Sequence, residues 1–198
     1  MSSLVMKDGT GTGNTMKVDS NNRAHTYSVT INEENQANED GDAYNINTDD
    51  ITLTNATETP VLYVKNNEDK DLHITAFALH AGSTTGGTTS EDIKWTVIRN
   101  PTAGTIISNA NNVAIKSNRN FGSTDTLLAD AYKGATGETM TDGDDHIVFK
   151  STNQSRVYAT IDELIPKGSS IGIKCAPQTS NTSMTVYAAA ICHLENGA

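Results

Sequence analysis

The side chains able to do chemistry in this sequence are few: five histidines, two cysteines and a handful of clustered carboxylates. The densest acidic group is Asp142-Gly-Asp-Asp-His146, where three carboxylates around a glycine offer the hard oxygen donors that Ca²⁺ prefers. The EF-hand order of ligands is missing and no flanking helices are predicted. An exposed, solvated turn is therefore the simpler account and no cofactor is expected; Asp142, Asp144 and Asp145 stand as the candidate calcium ligands. The histidines, at positions 25, 73, 80, 146 and 193, show no metal-type spacing. His73 and His80 have opposite parity on one predicted strand, which sends them to opposite faces. Adjacent Cys192 and His193 fail as a nucleophile–base pair for the same reason. No Gly-x-Ser-x-Gly elbow occurs, and Gly9-Thr-Gly-Thr-Gly13 is followed by neither Gly-Lys-Ser/Thr nor a helix, which removes a phosphate loop. Enzymatic activity is not expected.

The elements that must carry these residues read as strands. Of the 198 residues 35% are hydrophobic and 5% aromatic, and Thr and Asn together make roughly a quarter of the chain, a composition suited to short strands joined by polar turns. The segment Ser183-Met-Thr-Val-Tyr-Ala-Ala-Ala-Ile-Cys-His-Leu194 has no breaker and carries apolar groups on both alternating faces, as a central strand does. Before it lie Ser170-Ile-Gly-Ile-Lys-Cys175 and a turn-rich linker through Pro177, which together predict an antiparallel hairpin. With the turn near residues 179–182, Cys175 and Cys192 fall about six residues apart along the ladder, roughly 20 Å at ~3.3 Å per residue. A disulfide spans less than about 7 Å between Cα atoms, so both thiols are expected as small buried groups.

Further strands are predicted at Ala24–Ile31, Tyr44–Asn47, Ile51–Thr54, Val61–Lys65, Leu72–His80, Ile93–Ile98, Thr105–Ser108, Val113–Lys116, His146–Lys150 and Arg156–Ile161, with Thr126–Tyr132 either strand or helical turn. Val61–Lys65 and Leu72–His80 are expected to form a second hairpin across the polar tip Asn66–Asp71. Trp95, alternating with Ile93 and Val97, is expected as a core anchor. The acidic stretch Asn32–Asp42 reads as a solvated loop, and the only helical turn expected is near Asp162–Ile165, before Pro166. The whole predicts an all-β fold: an antiparallel β-sandwich, jelly-roll-like, occupying residues 24–198 as a single domain behind an extended N-terminal arm, residues 1–23.

Charge is distributed unevenly. The formal net charge is −10, and residues 31–50 hold seven carboxylates with no Lys or Arg. A nucleic-acid groove needs the opposite sign, so no nucleic acid is expected. No membrane-spanning run and no signal-peptide pattern are seen, and no membrane partner is expected. The arm carries Lys7, Lys17 and Arg23, whereas Glu33, Glu34, Asp40 and Asp42 follow the first predicted strand. Opposite charges so placed would draw the arm of one subunit to the acidic surface of the next.

Three phrases carry a resemblance: Lys7-Asp-Gly-Thr-Gly-Thr-Gly13 continuing to Lys17-Val-Asp-Ser-Asn-Asn-Arg23, then Gly41-Asp-Ala-Tyr-Asn-Ile-Asn47, then Leu62-Tyr-Val-Lys-Asn-Asn-Glu-Asp69. Over about its first eighty residues the chain resembles small virion structural proteins of tailed bacteriophages. A sandwich with an extended arm is similar, within that class, to capsid decoration (cement) proteins. The resemblance implies a protein assembled in the bacterial host cytoplasm and placed on the virion's capsid surface. Its partners would be the major capsid protein and itself as a homo-oligomer, trimer favoured over dimer. A tail, neck or fibre protein and a carbohydrate-binding adhesin are the alternatives.

Overall fold

The computed structural model describes residues 32–54, 57–85, 92–152, 154–177 and 182–195; the arm, the expected strand Ala24–Ile31 and the candidate residues Lys7, Lys17 and Arg23 lie outside them. Within the described residues a helix, α1 (Glu33–Asp40), precedes eleven strands: β1 (Ala43–Asn47), β2 (Ile51–Leu53), β3 (Thr59–Asn66), β4 (Asp71–Thr85), β5 (Ile93–Arg99), β6 (Ile115–Asn118), β7 (Ala129–Lys133), β8 (Asp144–Ser151), β9 (Arg156–Ile165), β10 (Ser170–Ala176) and β11 (Ser183–Glu195). They form two antiparallel sheets packed as a β-sandwich. One is ordered β6-β1-β11-β4-β9 with β2 also on β11, the other β7-β3-β10-β5-β8.

As its two-faced apolar pattern requires, β11 is central, paired with β1 and β2 on one side and β4 on the other. Its inward residues Met184, Val186, Ala188, Ala190, Cys192 and Leu194 are all buried. Trp95 is fully buried at 0% exposure and donates its indole N–H to Ser151 Oγ at 2.9 Å, so its polar end is satisfied inside the core.

Neither predicted hairpin exists. β3 and β10 pair with each other in the five-stranded sheet, while β4 and β11 pair in the six-stranded one. The linker 67–70 therefore steps from sheet to sheet. Turn-forming composition is the same for either job, and burial on both faces decides it: β3 is buried at every position but Lys65, which demands strand neighbours on both sides and a second sheet above. Buried Asn66 knots this crossing, donating Nδ2 to Lys70 O and Ile165 O at 2.9 and 2.8 Å and accepting from the Glu68 amide at 2.9 Å.

Three further expectations fail. The stretch read as a solvated loop contains α1, ended by Gly41 at φ 83°, with Asp42 N donating to Ala37 O at 2.7 Å and Gly41 N to Asn38 O at 3.4 Å. That is the paired hydrogen-bond pattern of a glycine-capped helix end. Conversely, Asp162–Ile165 is no helical turn but the end of β9. The segment Thr105–Ser108 holds a short 3₁₀ turn, Ile106–Ser108, in place of a strand, whereas Thr126–Tyr132 is strand, β7, only from Ala129 on.

Candidate functional site

Strand β4 carries a bulge where its pairing with β11 and β9 shifts between Ile74 and Ala76. Leu72 and Ile74 point into the core before it, and Phe77, Leu79 and Ala81 after it. The extra residue resets the alternation, and so His73 and His80, expected on opposite faces, share the outer one. On that face His73 stands directly opposite His193 of β11, and Glu195 follows two residues on, on the same side of β11.

These groups converge. Nδ1 of His73 lies 2.5 Å from Oε1 of Glu195, and its Nε2 lies 2.5 Å from Oδ1 of Asp162 on β9. Nε2 of His193 reaches the same Glu195 oxygen at 2.9 Å. The two imidazole rings are 4.7 Å apart, tilted by 56°. Among the described residues, His73, His193 and Glu195 are the one group of three ligating side chains whose donor atoms all lie within 4.8 Å of one another. Burial alone would raise the Glu195 carboxyl, but the hydrogen bonds from His73 and His193 outweigh it and hold the group below the ordinary carboxylate range. His193 is 2% exposed and its Nδ1 has no partner, a cost of about 1–3 kcal/mol for a buried polar atom. An apolar side chain would spare the fold that cost.

Of the cluster, His193 and Glu195 line a cleft of about 290 Å³ whose walls include Glu33, Gln36, Ala37 and Asp40 of α1 with Asp42 and Lys70. Helix α1 thus forms one wall of the cleft and is tied to the body. Arg119 pairs with Glu34, Asn120 Nδ2 donates to Glu39 O at 3.1 Å, and Asn118 Nδ2 to Gly41 O at 2.6 Å. Lys70 sits 2.5 Å from Asp42. Of the four acidic residues foreseen as an attraction for the arm, Glu34 and Asp42 thus already hold cations of their own chain, and Glu33, Asp40 and Asp42 face the cleft.

The calcium candidates sit elsewhere. Asp142 occupies a left-handed turn at φ 63° and accepts weakly from Thr102 Oγ1 at 3.4 Å, while Asp144 and Asp145 open β8, exposed and paired in register with Arg99 and Ile98. His146 lies 2.6 Å from Glu163 beside a groove of about 390 Å³ that includes Arg99 and Ser170. His80 Nδ1 donates to Ser155 O at 3.0 Å; His25 is outside the described residues. Both cysteines are free and buried, on different sheets. The absence of a disulfide thus agrees with the sequence reading, although the shared ladder from which it was argued does not exist.

Two pieces of the cluster are visible in the sequence: His193-Leu-Glu195 places a histidine and a carboxylate on one strand face. The third, His73, needs both the register of β4 on β11 and the bulge. Strict alternation hides it.

Among the described residues no helix is long and apolar enough to cross a membrane. Comparison with protein-family models, curated proteins and solved structures gives no match.

Proposed function

We propose that the chain is a structural virion protein that works by association, sitting on a capsid surface as decoration proteins do and packing against copies of itself and the major capsid protein. One observation carries this reading. One edge strand of the six-stranded sheet, β9, and one of the five-stranded sheet, β8, run along one flank of the sandwich, ten and eight residues long, joined by the His146–Glu163 pair. On them Tyr158 is 66%, Leu164 50% and Val148 49% exposed. A long edge offers unpaired backbone N–H and C=O groups, and large apolar side chains beside it make that edge a template for another chain. The likeness of the first eighty residues to virion structural proteins supplies the setting.

Light scattering on the purified full chain tests it: a homo-oligomer is expected, a trimer by mass. Val148→Glu combined with Tyr158→Glu should shift the mass to that of a monomer while leaving the far-ultraviolet circular dichroism unchanged. Protein added to expanded capsids that lack it should appear in electron micrographs at repeated positions over the shell. A wild-type monomer that leaves the shell bare would overturn the proposal, and density at a single vertex would move it to the tail or neck.

A further inference from the structure

The geometry points to a divalent transition-metal site of the zinc class at His73, His193 and Glu195, independent of the association proposed above. The two ring nitrogens of His73 each face a carboxylate at 2.5 Å. A neutral imidazole has one N–H. When Nε2 donates it to Asp162, Nδ1 presents a lone pair to a Glu195 oxygen that also presents lone pairs, and a positive charge belongs between them. A second proton is one candidate for that charge. A metal ion is the other, and the rest of the cluster favours it.

A metal-bound histidine characteristically gives its other N–H to a carboxylate, which fixes the tautomer and aims the ring; Asp162 stands where that partner belongs. Glu195 Oε1 is shared at 2.5 and 2.9 Å between imidazole nitrogens of two different strands, and all three donor atoms lie within 4.8 Å of one another. Bonds of about 2.0–2.1 Å in a tetrahedral site put donors roughly 3.3 Å apart. The Glu195 carboxylate, 26% exposed, needs to swing back by less than about 1 Å to reach that spacing. The donor set of two imidazoles and a carboxylate suits Zn²⁺ and its neighbours, whereas Ca²⁺ and Mg²⁺ require oxygens throughout. Glu33 and Asp40 line the cleft under α1 beside the Lys70–Asp42 pair, and carboxylates at a mouth concentrate cations. His193, 2% exposed, turns Nε2 to the shared Glu195 oxygen and so contributes a ligand where packing alone would favour an apolar side chain.

An ion here would tie β4 to the C-terminal end of β11 and, through Asp162, to β9, stapling three adjacent strands of the six-stranded sheet. The fourth position would open to the cleft.

The full chain, stripped with a chelator, is titrated with Zn²⁺ by calorimetry, and with Co²⁺ by visible absorption. The expected result is one ion per chain, bound at micromolar concentration or tighter, with Tm raised on the order of 5–10 °C at a hundredfold excess over Kd. His193→Ala should weaken binding by at least about 100-fold, and Asp162→Asn, altering a side chain that is 91% exposed and so sparing the fold, by about 10–100-fold. His146→Ala should leave it unchanged. Should His193→Ala fail to fold, His73→Gln takes its place, read by loss of the Co²⁺ absorption. No binding, or binding that survives both His73→Gln and Asp162→Asn, overturns the assignment and leaves His73 as a ring hydrogen-bonded between two carboxylates.

Discussion

Cys175 and Cys192 show what burial does to a reactive group. Cys175 lies across from Trp95 and Thr59 in one sheet, Cys192 across from Tyr44 and Ile74 in the other. Burial pushes the Cys192 thiol from 9.0 up to about 12 and raises Cys175 as well. Because the thiolate is the nucleophile, neither cysteine should react with a disulfide reagent at pH 8 in the native protein, and both should react once denaturant is added; fast labelling of the native chain would contradict the buried positions. The same shift sets an alkaline limit on stability. A group whose folded value is raised holds its proton in the native state and loses it on unfolding, so its contribution is whole below the unfolded value and is lost as pH rises toward the folded one. Tyr44, raised to about 12 by burial and then by Asp42, acts in the same direction. Urea midpoints should therefore hold level to about pH 9 and fall from there towards 12, with a shallower decline in Cys192→Ala.

At the scale of elements, the organising fact is that no two successive strands among those described are paired. Every ladder is long-range, and the connection 67–70, which looks like a hairpin turn, carries the chain between layers. Asn66 matters out of proportion to its size. Replacing it with Ala strands the carbonyls of Lys70 and Ile165 and the amide of Glu68, and should cost roughly 3 kcal/mol in denaturant unfolding, against less than about 0.5 kcal/mol for the exposed neighbour Asn67→Ala. Much of this layer was legible in advance. The centrality of β11, the burial of Trp95 and the strand at β9 follow from alternation and from the length of apolar runs, which are local properties. Pairing is not local: the linker at 66–71 has the same Asn, Glu and Asp composition whether it turns a hairpin or crosses a sandwich. Helix α1 escaped because its polar residues show no apolar stripe, although Gly41, one residue beyond it, is the stop signal that a capped helix leaves. The bulge at Thr75–Ala76 left no composition mark at all, and with it went the convergence of His73 on His193 and Glu195.

For the molecule as a whole, two forces compete to hold copies together, and salt separates them. Attraction between a basic arm and the acidic residues 33–42 would be screened within about 10 Å at 0.1 M ionic strength and within about 3 Å at 1 M. Its reach is already reduced, because Glu34 and Asp42 are engaged by Arg119 and Lys70. The apolar flank at Val148, Tyr158 and Leu164 responds the other way, since burying apolar area is insensitive to screening and is strengthened by excluded salts such as sulfate. If the flank dominates, as proposed, the oligomer should persist from 0.1 to 1 M NaCl, tighten in ammonium sulfate, and dissociate on Tyr158→Glu at any ionic strength. Every described strand lies between Ala43 and Glu195, so a chain lacking residues 1–20 should keep its sandwich and, on this account, its mass in solution. An oligomer that dissolves at 1 M NaCl, or is lost with the first twenty residues while Tyr158→Glu leaves it intact, would assign association to the arm and leave the flank as a bare edge. Sedimentation of the three proteins across the salt series decides between them.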